Sequence, residues 1–300
     1  MSKRKLGKTD LEVTPIGLGT WVFGGWPWNE SSEKDCEQAL ETALEMGVNL
    51  IDTAPIYGDG RSEKIIGETL ARLRVREKII LCTKVGIGFE NGNGTKVWKN
   101  ASRQTILKEL DKSLKRLKTD WIDLYQIHFP DDKTPFQQTF ETLLELKESQ
   151  KIKAIGISNF SVAQMQESLS YAPIASLQPP FNYFERESEK ELFPFCVKNE
   201  IGTLTYDTLC KGLLTGKFTF ENRPKDLVRR DSWDPLFEKE RFEACLGQIE
   251  VLKQKAKEEN LTLAQWVIRW TLQQPGVTSV LVGARNAKQV RENCKMLTNS

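Results

Sequence analysis

Four ionisable side chains have types and spacing that suit proton transfer. Asp52, Lys84 and His128 each end a run of mostly apolar residues, and Tyr57 follows five residues after Asp52. A phenol has an ordinary pKa of about 10, so it is a poor proton donor near neutrality unless a positive charge stabilises its anion. We therefore interpret Tyr57 as a general acid, Lys84 as the charge beside it, and Asp52 as the group that keeps Lys84 protonated. His128 would then donate a hydrogen bond to the oxygen of a polarised carbonyl substrate.

Each of these residues also has a structural interpretation, which the sequence leaves open. Asp52 could cap the next helix, Lys84 could be a solvated strand end, and Tyr57 could be part of a wall. A single histidine is more often a hydrogen-bonded structural residue than a catalyst. A lysine at a strand end could instead form an imine with a carbonyl substrate, as in a lyase, although a neighbouring carboxylate would keep it charged and non-nucleophilic. The joint placement of all four residues favours proton transfer.

The elements that carry these residues alternate along the chain. Short apolar runs are each followed by an amphipathic segment, which is the βα pattern, and several runs are continuous, as in strands covered on both faces. The predicted strands span residues 16–18, 48–52, 79–84, 121–128, 154–158, 175–178, 202–206 and 277–282. Helix starts are predicted at Thr134, Ser161 and Thr262, because each has a glutamine three residues later, the spacing of a capping box.

Eight strands that alternate with helices, with no polar linker between two halves, favour one closed barrel over two open sheets. We predict an α/β fold with a single (β/α)8 TIM barrel as the one domain over residues 1–300. A β-hairpin over residues 3–13 would plug the bottom of this barrel, and the long charged stretch over residues 212–234 is predicted to be a mobile functional loop. Active sites of such barrels lie at the carboxyl ends of the strands, so the polar strand ends would point into one mouth.

Composition excludes several classes of protein. The 39% hydrophobic and 28% charged residues are typical of a folded chain, and the net charge of +2 comes from interleaved basic and acidic residues, so we expect no nucleic-acid partner. No apolar run reaches the roughly 18 residues of a membrane helix, and the first residues lack a signal core, so we expect a cytoplasmic protein with no membrane partner. The six cysteines are scattered and His128 is the single histidine, so we expect no metal site.

Five segments resemble the aldo-keto reductase family in order and spacing. They are residues 49–58 (NLIDTAPIYG), 62–63 (SE), 83–84 (TK), 123–128 (DLYQIH) and 156–160 (GISNF). The resemblance covers nearly the whole chain and is to bacterial-type members with a short C-terminus. It implies a (β/α)8 barrel that reduces aldehydes or ketones to alcohols by hydride transfer from NADPH, without a metal. It also implies Tyr57 as the proton donor, Lys84 and Asp52 as its tuning pair, and His128 as the group that orients the substrate.

The same resemblance implies a site for NADPH (NADP+). A Ser-Asn pair and a glutamine on strands five and six would contact the nicotinamide, and a tyrosine after strand seven would stack on its ring. Residues 212–217 resemble the loop that covers the pyrophosphate. The implied cofactor-binding residues are Thr20, Trp21, Asp52, Ser158, Asn159, Gln178, Tyr206, Asp207, Leu209, Gly212, Leu213, Lys217, Gly283, Arg285, Gln289, Glu292 and Asn293. Arg285 before a helix start suits a 2′-phosphate, because a guanidinium and helix N–H groups both favour an anion, which supports NADP over NAD.

One cofactor position departs from the family. Relatives commonly have Tyr-Ser-Pro-Leu where residues 206–209 of this chain are Tyr-Asp-Thr-Leu. The carboxylate of Asp207 would repel a pyrophosphate unless it is turned away or neutralised. We therefore expect cofactor affinity and the loop conformation to depend on the surroundings of Asp207.

Aromatic side chains dominate the predicted substrate pocket. The predicted substrate-binding residues are Trp21, Tyr57, Trp98, His128 and Phe129. Such aromatic residues suit an apolar or sugar-like aldehyde. Trp21, Trp26 and Trp28 follow the first strand and either line the barrel mouth or pack on one another to close the loop. Because the chain ends soon after the last predicted helix, we expect an open and permissive pocket.

A regulatory function is the alternative to catalysis. Potassium-channel β subunits resemble this family and use the fold to sense the nicotinamide state while they bind a channel. Such a subunit would bind the cofactor with little turnover. The presence of all four proton-transfer residues favours an enzyme, and no segment ahead of Lys3 resembles an inactivation peptide. The expected partner is then a small-molecule carbonyl compound, and the resemblance implies a monomer or a homodimer.

Overall fold

Eight parallel strands close into a barrel in the computed structural model, which describes residues 2–28, 31–89, 97–225, 229 and 234–295. The barrel strands are β1 (Ile16–Gly19), β2 (Leu50–Asp52), β3 (Ile80–Val85), β4 (Ile122–Ile127), β5 (Ile152–Ser158), β6 (Ser176–Gln178), β7 (Gly202–Thr205) and β8 (Ser279–Gly283). They pair in the order β6-β7-β8-β1-β2-β3-β4-β5, and β5 pairs with β6 to close the ring. The predicted (β/α)8 barrel is therefore confirmed, and each predicted strand region overlaps a barrel strand.

Helices pack around the outside of the barrel. They are α1 (Glu33–Glu45), α2 (Arg61–Leu73), α3 (Arg103–Leu117), α4 (Phe136–Glu148), α5 (Val162–Leu169), α6 (Leu192–Asn199), α7 (Lys239–Glu258), α8 (Leu263–Leu272) and α9 (Ala287–Cys294). The capping boxes predicted at Ser161 and Thr262 are confirmed. The cap predicted at Thr134 is wrong, because Pro135 is the N-cap of α4 and the Thr134 hydroxyl donates to the Asp131 carboxylate at 2.6 Å instead.

An antiparallel hairpin, Arg4–Lys5 with Glu12–Val13, precedes β1 as predicted. Leu6 of this hairpin is fully buried in a cluster with inward-facing apolar side chains of β2, β3, β4, β5, β7 and β8. Gly7 makes the turn in the left-handed region with φ +55°, and a Cβ atom added there would lie 2.5 Å from the Ala175 carbonyl oxygen. The hairpin therefore closes the amino end of the barrel, and its turn requires a glycine.

The first hairpin and the last barrel strand meet at this base. β1 pairs with β8, and the guanidinium of Arg4 donates to the carbonyl of Val277 at 3.0 Å and to that of Thr278 at 3.3 Å. The barrel is thus joined by contacts between residues more than 270 positions apart in sequence.

A second antiparallel hairpin, Ile87–Phe89 with Val97–Lys99, follows β3 and is not predicted by the sequence analysis. The predicted loop over residues 212–234 begins inside a 3-10 turn, Cys210–Thr215, and residues 226–228 and 230–233 of this loop lie outside the described residues. In the part of the chain that the structure describes, no helix is long and apolar enough to cross a membrane.

Candidate active site

Lys84 lies fully buried on β3, between a carboxylate and a phenol. Its Nζ atom donates to Asp52 Oδ2 at 2.6 Å and to Tyr57 Oη at 3.2 Å. The remaining N–H group donates to the carbonyl of Thr53 at 3.0 Å. An ammonium has three N–H groups, and each of them has an acceptor here. The geometry therefore holds Lys84 in its charged form next to the phenol of Tyr57.

Burial and charge act in opposite directions on this pair. Burial lowers the pKa of Lys84, but the Asp52 carboxylate and Tyr57 together raise it above its ordinary value. For Tyr57, burial is the larger effect and raises the pKa of the phenol, while Lys84 lowers it in part. Lys84 thus acts in the direction expected from the sequence, but burial outweighs it. The phenol therefore carries its proton at neutral pH, as a proton donor requires.

His128 follows β4 and faces Tyr57. The two rings are nearly perpendicular, at 81°, and their centroids lie 6.1 Å apart. Burial lowers the pKa of the imidazole well below its ordinary value, and the Lys84 ammonium lowers it further. The Nδ1 atom is buried and has no hydrogen-bond partner among the described residues, which favours the tautomer with its proton on Nε2. His128 is therefore a neutral imidazole with one N–H to donate.

The neutral state of His128 predicts how stability changes with pH. A histidine whose pKa is lower in the folded state binds its proton on unfolding, so the free energy of unfolding falls as the pH drops below about 6.5. Below about pH 6.5, and until the pH reaches the lowered pKa of the folded state, we expect this loss to approach about 1.4 kcal/mol per pH unit, and His128→Gln should remove this contribution. Urea unfolding at each pH measures the slope, and no second histidine contributes to it. Equal slopes in the two proteins would contradict a neutral His128.

Polar side chains at the ends of β5, β6 and β7 form one hydrogen-bonded group. Ser158 Oγ donates to the Gln178 carbonyl at 2.8 Å. Asn159, in the left-handed region with φ 62°, donates from Nδ2 to the His128 carbonyl at 2.9 Å. Tyr206 Oη donates to Asn159 Oδ1 at 2.9 Å. The structure therefore brings the predicted nicotinamide contacts together, and Asn159 also holds the backbone of His128.

Gln126 also belongs to this group, although the sequence analysis assigns it no function. It is fully buried on β4, and its Nε2 donates to Asp52 Oδ1 at 3.2 Å. Gln178 Nε2 donates to the same carboxylate oxygen at 2.8 Å and to Gln126 Oε1 at 3.3 Å. The sequence does contain a signal for Gln126. It is a polar residue two positions before His128, and side chains two positions apart on a strand point to the same side.

A cavity of about 730 Å³ opens at the carboxyl ends of the strands, which is the size range of small-molecule sites. The predicted residues that line it are Thr20, Trp21, Asp52, Tyr57, His128, Phe129, Ser158, Asn159, Gln178, Tyr206, Asp207, Leu209, Gly212, Lys217, Gly283, Arg285, Gln289, Glu292 and Asn293. Lys84 is buried behind this lining with all its N–H groups hydrogen-bonded, which argues against imine formation.

Two predicted contact residues do not line the cavity. Leu213, predicted to contact the cofactor, is fully buried in an apolar cluster with side chains of α7 and α8. Trp98, predicted to contact the substrate, lies opposite Gly88 in the second hairpin, where a Cβ atom added to Gly88 would come within 2.4 Å of its ring. The indole therefore covers the hairpin, and Phe89 and Val97 line the cavity there instead.

The tryptophans after β1 combine the two arrangements left open by the sequence. Trp21 and Trp28 pack edge to face with centroids 5.1 Å apart, and both line the cavity. Trp26 packs against Phe89 at 4.9 Å and is not part of the lining. The cluster therefore closes the loop and also forms an aromatic wall.

Asp207 is paired with a lysine of the same chain. Its Oδ1 accepts from the Lys211 backbone N–H at 2.8 Å, and its Oδ2 pairs with Lys211 Nζ at 2.5 Å. The same ammonium lies 2.8 Å from Asp234 Oδ2. Burial raises the pKa of the Asp207 carboxyl, and Lys211 lowers it in part. The repulsion expected from Asp207 is therefore offset in part by Lys211, which it shares with Asp234 and which is a cavity-lining residue that the sequence analysis did not identify.

Cationic groups and a helix start meet at the other end of the cavity. Asn286 caps α9 by accepting from the Gln289 N–H at 3.1 Å, and Gln289 accepts from the Arg285 N–H at 2.8 Å. The guanidinium groups of Arg229 and Arg285 lie 5.4 Å and 5.8 Å from the ring centroid of Trp28. Two guanidinium groups near one indole ring, one of them on the residue just before a helix start, favour an anionic ligand.

The lining fits a nicotinamide dinucleotide. One end offers the Tyr206 ring and the amides of Asn159 and Gln178 to a nicotinamide ring, and the other end offers Arg285 to a phosphate. Tyr57 shares the first end and can give a proton to a carbonyl oxygen. In the described part of the chain, no group of three or more His, Cys, Asp or Glu side chains is placed to hold a metal ion.

Comparisons with known proteins identify the family. The model of the aldo/keto reductase family matches residues 15–299. Aldo-keto reductase YhdN of Bacillus subtilis (strain 168) is 41% identical over 291 residues, which cover 97% of this chain and 87% of the relative. The NADH-specific methylglyoxal reductase of Escherichia coli (strain K12) is 35% identical over 309 residues, which cover 99% of this chain and 94% of the relative.

A solved structure matches as well. The glycerol dehydrogenase AKR11B4 from Gluconobacter oxydans aligns with a TM-score of 0.89 at 37% identity, over 98% of this chain and 89% of that one. The fold, the family model and these relatives therefore agree over nearly the full length of the sequence. The chain belongs to the aldo/keto reductase family of oxidoreductases.

Proposed function

We propose that this aldo-keto reductase uses NADPH to reduce an aldehyde or ketone to an alcohol, with Tyr57 as the proton donor. The observation that carries the proposal is the 3.2 Å hydrogen bond from Lys84 Nζ to Tyr57 Oη, next to His128 in the same cavity. When bound, the reduced nicotinamide supplies the hydride. The protein then has to orient the carbonyl group and deliver a proton to its oxygen.

The side chains divide these tasks. His128 donates its Nε2 proton in a hydrogen bond to the carbonyl oxygen and polarises the C=O bond. Tyr57 gives its proton to that oxygen as negative charge develops there, and the Lys84 ammonium stabilises the phenolate that is left. Asp52 keeps Lys84 charged and fixed. Because burial raises the pKa of Tyr57, the phenol keeps its proton until it transfers it to the carbonyl oxygen.

The proposal is tested by NADPH binding and turnover in one cuvette. Trp21 and Trp28 line the cavity, so binding should quench tryptophan fluorescence. Addition of a reactive aldehyde such as 4-nitrobenzaldehyde should then oxidise the bound NADPH. Tight binding with negligible turnover of every carbonyl compound would favour the regulatory alternative, and a failure to bind would contradict the cofactor site.

Arg285→Ala should weaken NADPH binding far more than NADH binding. Only NADPH carries the 2′-phosphate, and a hydrogen bond to a charged group contributes about 1.5–3 kcal/mol, so the Kd for NADPH should rise about tenfold to a hundredfold. The Kd for NADH should change little. Fluorescence titration of both cofactors measures the difference directly.

Arg291→Ala is the matched control for Arg285→Ala. Arg291 lies on α9 but is exposed, and its guanidinium is 3.7 Å from the Glu45 carboxylate, away from the cavity lining. This variant should bind both cofactors as the wild type does. Equal losses of affinity for both cofactors in Arg285→Ala would contradict a contact between Arg285 and the 2′-phosphate. Tighter binding of NADH by the wild type would overturn the preference for NADPH.

A further inference from the structure

Gln126 occupies the centre of the site without lining the cavity. Its backbone pairs with Lys84 on β3 and with Gly156 on β5. A Cβ atom added to Gly156 would lie 2.8 Å from Gln126 Cγ. The absence of a side chain on the neighbouring strand therefore leaves the space that Gln126 fills.

The amides of Gln126 and Gln178 are oriented by the carboxylate between them. Asp52 Oδ1 only accepts hydrogen bonds, so both glutamines must present Nε2 to it, at 3.2 Å and 2.8 Å. This leaves Gln126 Oε1 facing Gln178, whose Nε2 donates to it at 3.3 Å. An amide nitrogen has two N–H groups, and Gln178 donates both inside the barrel.

The orientation of Gln178 has a consequence for the cavity. Gln178 lines the cavity, and with both N–H groups committed its amide can offer only Oε1 to a ligand. The Gln178 Oε1 atom accepts a hydrogen bond from an N–H group of a ligand. It cannot hydrogen-bond to a ketone oxygen, because both atoms are acceptors. Without Gln126, Asp52 still accepts one N–H of the Gln178 amide at 2.8 Å, but the second N–H loses its acceptor and can be offered to a ligand oxygen.

We propose that Gln126 is a positioning residue that holds the Gln178 amide with its oxygen toward the cavity, and so selects a ligand ring that carries a carboxamide N–H. This inference rests on the proposed nicotinamide site and identifies how the site distinguishes an amide from a ketone on that ring. Among the described residues, the side-chain amide of Gln126 hydrogen-bonds to Asp52 and Gln178 and does not line the cavity, so its effect on the ligand is transmitted through Gln178.

The test compares NADP+ with its 3-acetylpyridine analogue, in which a methyl ketone replaces the carboxamide and no N–H remains. Dissociation constants for both are measured by tryptophan quenching in the wild type and in Gln126→Met. Methionine has a similar length but lacks the amide donors and acceptor. The wild type should prefer NADP+, and Gln126→Met should reduce this preference roughly three- to tenfold, the value of one net hydrogen bond.

Two further variants keep the test decisive. Ser176→Ala removes a buried hydroxyl next to Gly156 that has no hydrogen-bond partner among the described residues, and it should leave the preference unchanged. Gly156→Ala places a Cβ atom 2.8 Å from Gln126 Cγ and 2.8 Å from Ser176 Oγ, so it displaces Gln126 without changing its amide, and Ser176→Ala controls for the second contact. It should lower the preference as Gln126→Met does. This second route remains available if Gln126→Met does not fold.

The outcomes separate this inference from the proposed function. An unchanged preference in Gln126→Met and Gly156→Ala, or equal weakening of both ligands, would overturn the positioning role. The measurement needs binding only. A wild type that shows the predicted preference but reduces no carbonyl compound would overturn the proposed function and would support the role of Gln126.

Discussion

Replacing Tyr57 with phenylalanine should lower kcat for carbonyl reduction by about 10²- to 10⁴-fold, the contribution of a general acid. Phenylalanine keeps the ring, which lies 6.3 Å from the Trp21 ring and 6.1 Å from the His128 ring, and removes only the oxygen. The Kd for NADPH should stay nearly unchanged, because the hydroxyl is assigned to the substrate. Steady-state NADPH oxidation and fluorescence titration measure the two quantities separately.

Tyr125→Phe is the control for this variant, since it deletes the same atom from another tyrosine. Tyr125 is fully buried on β4 in the apolar cluster beneath the helices, and its hydroxyl has no hydrogen-bond partner among the described residues. Activity should therefore be retained. If Tyr57→Phe kept most of its kcat, the proton would have to come from another group. A parallel loss of NADPH affinity would indicate a damaged pocket instead of a missing acid.

Lys84→Met should reduce both stability and activity. Lys84 is fully buried and Asp52 is 3% exposed, so removal of the ammonium leaves a buried carboxylate without its counter-ion. Loss of one partner from a buried ion pair costs about 3–5 kcal/mol in the free energy of unfolding. The phenolate of Tyr57 would also lose the charge that stabilises it, so kcat should fall with stability. Urea unfolding and steady-state kinetics report the two losses.

The double variant Asp52→Asn/Lys84→Met separates these effects. It leaves no buried charge at the pair, and the carbonyl oxygen of the new amide can still accept from Gln126 and Gln178. The free energy of unfolding should therefore return toward the wild-type value while kcat stays low. Recovery of kcat in the double variant would show that the ammonium is not needed for proton transfer. A wild-type free energy of unfolding in Lys84→Met alone would contradict the buried ion pair.

The barrel and the positions of the proton-transfer residues were predictable because both depend on regular patterns. A strand covered on both faces needs a continuous apolar run, and a polar side chain at its carboxyl end reaches the barrel mouth. Asp52, Lys84 and His128 stand at such ends, and the structure brings them together with Tyr57.

The direction of side chains in loops and turns was not predictable in this way. Leu213 stands in a segment that covers the cavity, yet it points into the core because the turn Cys210–Thr215 contains left-handed residues. Asp207 and Lys211 pair within a turn in which both residues adopt positive φ angles, 61° and 49°, and hydrophobic periodicity does not predict such angles. The hydrogen bonds of Gln126 likewise depend on strands that are distant in sequence.

The closure of the barrel has a consequence for folding during synthesis. It depends on the pairing of β1 with β8 and on the bonds from Arg4 to the carbonyls of Val277 and Thr278. Synthesis proceeds at about 5–20 residues per second, so β1 leaves the ribosome long before its neighbour β8 has been made. The edge of β1 therefore waits for most of translation without a partner on one side. Pairing over such a sequence separation is slow, so the newly made chain has an exposed strand edge that chaperones can protect.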